Sequence, residues 1–409
     1  MRSNYKRLGD YIRQVDVRNK DLSVTKLMGV SIQKIIMPSI ANTIGTDMST
    51  YKIVKQNQFV YGPVTSRNGD KVSIALFTED EGIVSQAYTS FEIIDLKKLL
   101  PEYLMLWFMR PEFDRYARFM SHGSAREIFG WDEMCDVMLP VPDITVQQQI
   151  VDECNIVKNR ISLNKQLIKT LEETAQAVYK QWFVDFEFPD KNGKPYKSSG
   201  GKMIDSELGE IPEGWRVDML GNVATIVSSK RVFQDEYVSN GIPFYRGTEV
   251  IKERTGKQID SPLFISHAHY TLLKSKYGSP QKGDILLTAV GTLGISWFVS
   301  KTDFYFKDGN VVWFKDFEPN TLNTYIYLWM QTTNFRDKIT DITIGSTQNA
   351  ITITELNKMN VLVPQEKLVR KTDEIIAKFI SMSSYILKEN ATLNGLSELL
   401  LSKLSTVEV

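Results

Sequence analysis

The sequence predicts an α+β protein in which two duplicated mixed α/β domains are separated by two long antiparallel coiled-coil helices. Two observations lead to this prediction. Apolar residues recur at alternating steps of four and three in one stretch near the middle of the chain and in another near its end, a pattern typical of long helices that pair. Both stretches also belong to an internal repeat, because the second half of the chain resembles the first at a constant offset.

The heptads predict a first helix over 150–182 and a second over 372–404, each about 50 Å long at the α-helical rise. An antiparallel register places Asn164 opposite Asn390, and a buried Asn pair would fix that register. The alternative is that each Asn is tolerated at a partly exposed seam. The predicted seam residues are Ile150, Cys154, Val157, Ile161, Asn164, Ile168, Leu171 and Val178 in the first helix, and Ile376, Phe379, Ile386, Asn390, Leu393 and Leu400 in the second.

The internal repeat has an offset of 222 residues, which aligns Tyr103 with Tyr325 and Trp107 with Trp329. It runs without a gap for about 80 residues, into the helical heptads. The earlier parts match less well, and the Leu-Gly pair at position 220 follows the pair at position 8 by 212 residues. Each half is therefore predicted to be a variable globular domain followed by a better-matched helix.

Short apolar runs broken by turn residues predict strands in both halves. They lie at 52–55, 58–61, 72–77, 83–84 and 90–94, and again at 223–227, 284–288, 296–299 and 311–314. A helix-like stretch follows in each half, at 101–119 and 321–340. The predicted organisation is a first domain at 1–143, a central helix at 144–186, a linker rich in turn residues at 187–214, a second domain at 215–364 and a C-terminal helix at 365–409.

Composition limits the classes of function. Lys and Arg together number 49, as do Asp and Glu, so no overall charge attracts the chain to nucleic acid. Cys135 and Cys154 are not spaced as a CxxC pair, which excludes a zinc or disulfide framework. No stretch resembles a signal peptide or a membrane span, and a cytoplasmic protein is expected.

Catalytic motifs are missing from the sequence. It contains neither the Asn-Pro-Pro-aromatic string of an adenine methyltransferase nor a GxxxxGK[ST] phosphate loop. The segment from Gly291 to Gly294 is interpreted as a turn, and His267 and His269 as surface residues that lack further metal ligands. We therefore predict no catalytic residue and no metal site.

Three strings stand out within this duplicated organisation: Leu-Gly-Glu-Ile-Pro-Glu-Gly-Trp at 208–215, Gln-Trp-Phe-Val-Asp-Phe-Glu at 181–187 and Gly-Ser-Thr-Gln-Asn-Ala-Ile at 345–351. With these strings the chain resembles the specificity subunits of type I restriction-modification systems. The resemblance implies that the two domains are target-recognition domains, each reading one half of a split DNA sequence. It also implies that the helix pair is a ruler setting the number of unread base pairs.

The resemblance further implies partners: two modification subunits that methylate adenine, and restriction subunits that complete a nuclease. The specificity chain would be non-catalytic and would bind no cofactor, because S-adenosylmethionine, ATP and Mg would belong to the partner subunits. Two alternatives stay open, a coiled-coil scaffold that binds proteins and an orphan methylation-specificity subunit without a nuclease partner.

DNA contacts need basic or small polar side chains on presented loops. The candidates in the first half are Gln33, Lys34, Arg67, Asn68, Ser124 and Arg126. Those in the second half are Lys230, Arg231, Arg246, Thr248, Thr292, Ser346, Thr347, Gln348 and Asn349. Because the net charge is near zero, we expect weak and salt-sensitive DNA binding by the chain alone.

Overall fold

The structure is a computed structural model that describes residues 5–40, 45–66, 69, 71–123, 126–345 and 349–407. The chain divides into two compact units. Unit 1 is Met1–Arg160 together with Leu393–Val409, and unit 2 is Ile161–Thr392.

Unit 1 is mainly β-structure followed by helices. Its elements in chain order are β1 Tyr5–Arg7, β2 Ile12–Val15, β3 Val17–Arg18, β4 Met28–Val30, β5 Ile36–Pro38, β6 Lys52–Lys55, β7 Phe59–Tyr61, β8 Ile74–Leu76, β9 Glu81–Val84, β10 Thr89–Ile93, α1 Pro101–Phe108, α2 Pro111–Met120, α3 Trp131–Cys135, β11 Met138–Pro140 and the start of α4, Ile144–Tyr179. Short 3-10 turns lie at Leu8–Asp10 and Met48–Thr50.

An antiparallel sheet in the order β2-β10-β7-β8 organises unit 1. Successive side chains of a strand point to opposite faces, so Phe59 and Tyr61 enter the main core while Val60 joins a second cluster with Phe77. The rings of Phe59 and Phe91 stack at 4.9 Å between centroids. The sheet therefore separates two apolar layers.

The core of unit 1 is completed by residues from both long helices. Val151 and Cys154 of α4 are buried in it. They meet Leu404, which is 1% exposed, and Leu400 from the C-terminal segment. Unit 1 is thus closed by residues that lie more than two hundred positions later in the sequence than its sheet.

Unit 2 has its own sheets and helices. The π-helical turn Lys180–Val184 extends α4, and the following elements are β12 Met203–Ile204, β13 Ile211–Pro212, β14 Arg216–Met219, α5 Leu220–Val223, β15 Thr225–Val227, β16 Tyr237–Val238, β17 Ile242–Tyr245, α6 Gly247–Thr255, β18 Leu263–Ile265, α7 His267–Tyr277, β19 Ile285–Thr288, β20 Ser296–Phe298, β21 Tyr305–Phe306, β22 Val311–Lys315, α8 Leu322–Met330, α9 Thr333–Asp341, α10 Ile353–Lys358, β23 Asn360–Val363 and α11 Glu366–Lys403. A 3-10 turn precedes β16 at Gln234–Glu236, and another follows α11 at Leu404–Thr406.

The two units share one framework. The sheet β15-β22-β19-β20 repeats the order of β2-β10-β7-β8, and β14–β23 repeats β1–β11. The Tyr103 hydroxyl donates to the Pro140 carbonyl at 3.1 Å, and Tyr325 donates to Leu362 in the same way at 2.8 Å. Both bonds obey the 222-residue offset of the sequence repeat, so the duplication extends to individual hydrogen bonds.

The long helices run antiparallel within unit 2. The Asn164 side-chain amide donates to Asn390 Oδ1 at 2.9 Å and to Glu389 Oε2 at 3.0 Å, while Ala175 shares a core with Ile376 farther along the pair. The Asn pairing predicted from the heptads is present. Every predicted seam residue is buried or half-buried.

Several predicted element boundaries were wrong. The stretches at 101–119 and 321–340 are each two helices. Pro111 opens α2 and follows an extended Arg110, and Thr332 caps α9 by accepting from the Phe335 amide. Val223 ends the short helix α5, so the strand begins at Thr225.

The segment predicted as a linker is ordered structure. β12 pairs with β13, and Phe188 stacks between Tyr196 and Trp215 at 4.6 and 5.4 Å between centroids. Its Gly, Pro and Ser residues form turns between these contacts. The Gly, Pro and Ser content indicated turns, and turns are present. Composition did not indicate that Phe188 stacks on Trp215 of the following domain.

Candidate nucleic-acid interface

Each unit brings a hairpin loop and a closed loop together at the end of its main sheet. In unit 1, the loop from His122 to Ile128 is closed by a reciprocal pair of backbone hydrogen bonds of 3.1 and 2.9 Å between these two residues. The Phe129 amide then donates to the Pro63 carbonyl at 2.8 Å, which ties the loop to the β7–β8 connection.

Unit 2 repeats this arrangement. Ile344 and Ala350 close their loop with hydrogen bonds of 3.0 and 2.9 Å, and the Ile351 amide donates to Ala289 at 2.9 Å. Ala289 opens the β19–β20 connection. Two loops predicted separately from the sequence in each half are therefore neighbours in the structure.

In unit 2 the remaining predicted segments join the same edge, which we call the unit 2 edge and define as 228–231, 246–248, 288–295 and the described ends of the closed loop, 344–345 and 349–350. A side chain at Gly247 would lie 3.7 Å from Thr288. The Ala289 amide donates to Asn310 at 2.9 Å, and the neighbouring Gly309 amide donates to Ser228 Oγ at 3.2 Å. Four segments that are distant in sequence thus meet at one surface.

Several side chains of the unit 2 edge are exposed, as DNA contacts require. Arg231 is 65% exposed and pairs with Asp308 at 2.8 Å. The Lys230 ammonium lies 5.7 Å from the centre of the Tyr277 ring. Thr248, Thr292 and Asn349 are also exposed.

Arg246 differs from the loop residue that the sequence predicted. It is the N-cap of α6, and its guanidinium contacts the Glu249 carboxylate through Nε at 3.0 Å and Nη2 at 2.6 Å. This pairing raises the pKa of Arg246. Glu249 was not predicted from the sequence, although a glutamate three residues after a helix N-cap is a recognisable capping signal.

In unit 1, one predicted contact, Arg126, lines a groove, and another, Gln33, follows a residue that lines it. Gln33 is exposed in the turn between β4 and β5. Its neighbour Ile32 lines the groove with Pro63, Val64 and Arg126, and Arg126 is exposed.

Lys34 does not fit its prediction as a DNA contact. Its ammonium lies 2.8 Å from Asp114 Oδ1, and its side chain is only 6% exposed. It also donates to the Phe108 carbonyl. Burial lowers the pKa of Lys34, and the Asp114 hydrogen bond opposes that effect. A lysine with these partners holds the fold and is not free to reach a phosphate.

Six further predicted contacts lie outside the described residues: Arg67, Asn68, Ser124, Ser346, Thr347 and Gln348. The hairpin and closed loops that carry them are described on both sides.

The other chemical candidates are structural. Gly294 donates to the Thr288 carbonyl at 2.9 Å in a hairpin turn that leads into a strand, not into the helix that a phosphate-binding loop needs. His267 begins α7, and His269 lies 3.6 Å from Glu236. Among the described residues, no group of three or more His, Cys, Asp or Glu could hold a metal ion. No helix within the described ranges is long and apolar enough to cross a bilayer.

Comparisons with known proteins agree with this architecture. Residues 212–397 match the family model of the type I restriction modification DNA specificity domain. The type I restriction enzyme HindI specificity subunit of Haemophilus influenzae is 22% identical, with 92% of each chain covered. A putative specificity subunit from the same organism, S.HindORF215P, is 31% identical over 44% of each chain.

A solved structure shares the fold of the whole chain. The S subunit of a type I restriction-modification system from M. genitalium superposes with a TM-score of 0.61 at 13% identity, covering 99% of this chain and 96% of that one. The duplicated framework, the antiparallel helix pair and the matches in sequence point the same way. Residues 212–397 match the type I restriction modification DNA specificity domain, and the chain as a whole is similar to specificity subunits of type I restriction-modification systems.

Proposed function

We propose that this chain is the DNA sequence-recognition subunit of a type I restriction-modification complex and that it reads a bipartite target. The observation that carries the proposal is the duplicated framework, in which each unit presents the same two loops beside an insertion of its own. In unit 1 the insertion holds β3 to β6, and in unit 2 it holds β16 to β18 with α6 and α7.

The common loops and the differing insertions suit different tasks. Contacts to the DNA backbone position a protein without reading sequence, whereas base contacts require side chains particular to each target. We assign backbone contacts to the closed loops and to the exposed segment at 230–231 before β16, and base contacts to the insertions and hairpin loops. The domains would then be 1–143 and 215–364, with helices 144–186 and 365–409 setting the gap between half-sites.

The chain would act with partners. In this proposal two modification subunits dock on the helices and domains, and restriction subunits complete the nuclease in the cytoplasm. The chain itself contributes recognition. Its balanced charge, 49 basic against 49 acidic residues, supports the view that the partners supply much of the attraction to phosphate.

A selection from random duplex DNA tests the proposal. The chain, purified with its modification subunit, is expected to enrich a motif of two short half-sites around a fixed gap. The Arg231→Ala variant is expected to weaken binding to all sequences similarly and to lower the salt dependence of affinity. Enrichment of no motif would contradict DNA recognition and favour a protein scaffold. A motif methylated but never cleaved in cells would identify the orphan form.

A further inference from the structure

The contact between Arg246 and Glu249 is a two-point clamp at the unit 2 edge. Glu249 Oε2 accepts from the Arg246 backbone amide at 2.8 Å and from Nε at 3.0 Å, while Oε1 accepts from Nη2 at 2.6 Å. A guanidinium is planar and offers its donors in fixed forks. Because Glu249 holds the guanidinium through Nε and Nη2, the plane of the guanidinium and the direction of its Nη1–Nη2 edge are fixed.

The opposite fork of this guanidinium remains available. Within the described part of the chain, Nη1 of Arg246 has no hydrogen-bond partner. The Arg246 side chain is 42% exposed, whereas that of Glu249 is 3% exposed. The clamp therefore buries the carboxylate and presents the Nη1–Nη2 side of the arginine outward.

Burial of the Glu249 carboxylate does not neutralise it. Burial alone would raise the pKa of this carboxyl, but the hydrogen bonds from Arg246 outweigh it and the pKa is lowered. The carboxylate is thus charged at neutral pH. The charged, buried carboxylate of Glu249 therefore holds Arg246 through two guanidinium nitrogens. By contrast, Arg231 is 65% exposed, and among the described residues it contacts Asp308 through Nε.

We propose that Glu249 is a positioning residue for DNA reading, which orients Arg246 so that its free fork takes O6 and N7 of a guanine in the half-site of unit 2. An Nη1–Nη2 fork matches these two acceptors, and an arginine–guanine pair of this kind is a common specific contact in the major groove. This inference rests on the proposed function.

The Glu249→Gln variant separates positioning from helix capping. A glutamine at this position still accepts the Arg246 backbone hydrogen bond, so α6 keeps its cap. It loses the charge and the two-point grip on the guanidinium. In the selection from random duplex DNA, with the modification subunit bound, we expect preference for guanine at one position of one half-site to fall by roughly tenfold. The other half-site is expected to be unchanged.

A second variant and a control complete the test. Arg246→Lys keeps a cation beside Glu249 but has no second fork, and is expected to lose at least as much guanine preference. Glu366→Gln breaks a similar Glu–Arg contact, to Arg370 in the first turn of α11, and is expected to leave base preference unchanged.

The outcomes distinguish the two proposals. If Arg246→Lys loses base preference and Glu249→Gln does not, Glu249 acts only as a helix cap. This result would overturn the inference, while the proposed function would stand. Unchanged preference in both variants would also overturn it. If the unmodified chain enriches no motif, the proposed function itself fails.

Discussion

Lys34 lies in a hairpin turn, where sequence favours an exposed residue, yet its ammonium is buried beside Asp114. The reason is in the tertiary structure. Asp114 of α2 pairs with the Lys34 ammonium, and the same carboxylate oxygen accepts from the Val72 amide at 3.1 Å. A sequence reports that a residue is basic and that a turn is near it. It does not report whether a carboxylate from a distant helix will pair with that residue.

Removing Asp114 should expose the cost of this burial. We expect Asp114→Ala to lower the free energy of unfolding of unit 1 by about 3–5 kcal/mol at neutral pH, because Lys34 is left as a buried cation without its carboxylate partner. The folded chain would release the Lys34 proton at a lower pH than the unfolded chain, whose lysine titrates near its usual 10.5. Between the pKa of Lys34 in the folded chain and its pKa in the unfolded chain, unfolding takes up a proton. The free energy of unfolding of the variant therefore rises with pH in this range.

Hydrogen exchange of amides in β7 and β8 measures this effect. The loss should shrink between about pH 7 and about pH 10, the region where lysine titrates. The Lys34→Met/Asp114→Asn double variant is the control, because it removes both charges while the Asn side-chain oxygen can still accept from the Val72 amide. Its stability should not change between these pH values as that of Asp114→Ala does. An equal loss at both pH values would contradict a charged, buried Lys34.

For Arg246 the sequence predicted the wrong local structure. Its residue type pointed to DNA contact, and the structure places it at the unit 2 edge, but as the cap of a helix and not as a free loop. The capping glutamate was visible in the sequence. What could not be predicted is that Glu249 would be buried, since that depends on the packing of α6 against β19 and β20.

At the scale of elements, the helix pair was the most predictable part. A heptad seam specifies which residues face inward and, through its polar positions, which register is favoured. The strands were also anticipated where apolar runs were continuous, as at Lys52–Lys55. The insertion of unit 2 was missed, because β16 to β18, α6 and α7 have short or polar sequence patterns.

The Asn pair supports a second prediction. Asn164→Leu should lower the stability of the helix pair by about 1–3 kcal/mol, because Asn390 is left with an unpaired amide in an apolar seam. The Asn164→Leu/Asn390→Leu double variant should recover most of this loss and weaken the preference for one register. Hydrogen exchange along α4 and α11, read as a double-mutant cycle, checks the coupling. Additive losses would show that the two amides are energetically independent.

At the scale of the whole molecule, the proposed ruler can be shortened. Deleting 156–162 together with 392–398 removes one heptad from each helix and keeps Asn164 opposite Asn390. One heptad is roughly 10 Å of helix, or about three base pairs at the rise of DNA. We expect the same two half-sites with a gap shorter by about that amount, measured by mapping methylated adenine in cells.

Deleting 392–398 alone is the control for this prediction. With Asn390 still opposite Asn164, the shortened helix no longer brings Leu400 and Leu404 to the core of unit 1 while α4 keeps its full length. Recognition should therefore be lost and not merely respaced. A gap that stays constant in the double deletion would mean that the helices do not set the spacing.

The general architecture was predictable because the duplication is written in the sequence at a fixed offset. The positions of the two closed loops followed from it, since His122–Ile128 and Ile344–Ala350 carry related strings. The contents of the unit 2 edge were not predictable, because they arise from four chain segments that only the fold brings together.

The closure of unit 1 by Leu404 has a consequence for how the protein is made. The sheet of unit 1 leaves the ribosome early, but its core lacks Leu400 and Leu404 until more than two hundred further residues have been added. At typical synthesis rates this delay is on the order of tens of seconds. Nascent chains would carry an open apolar surface for that time, which makes unit 1 a candidate client for chaperones that shield growing polypeptides.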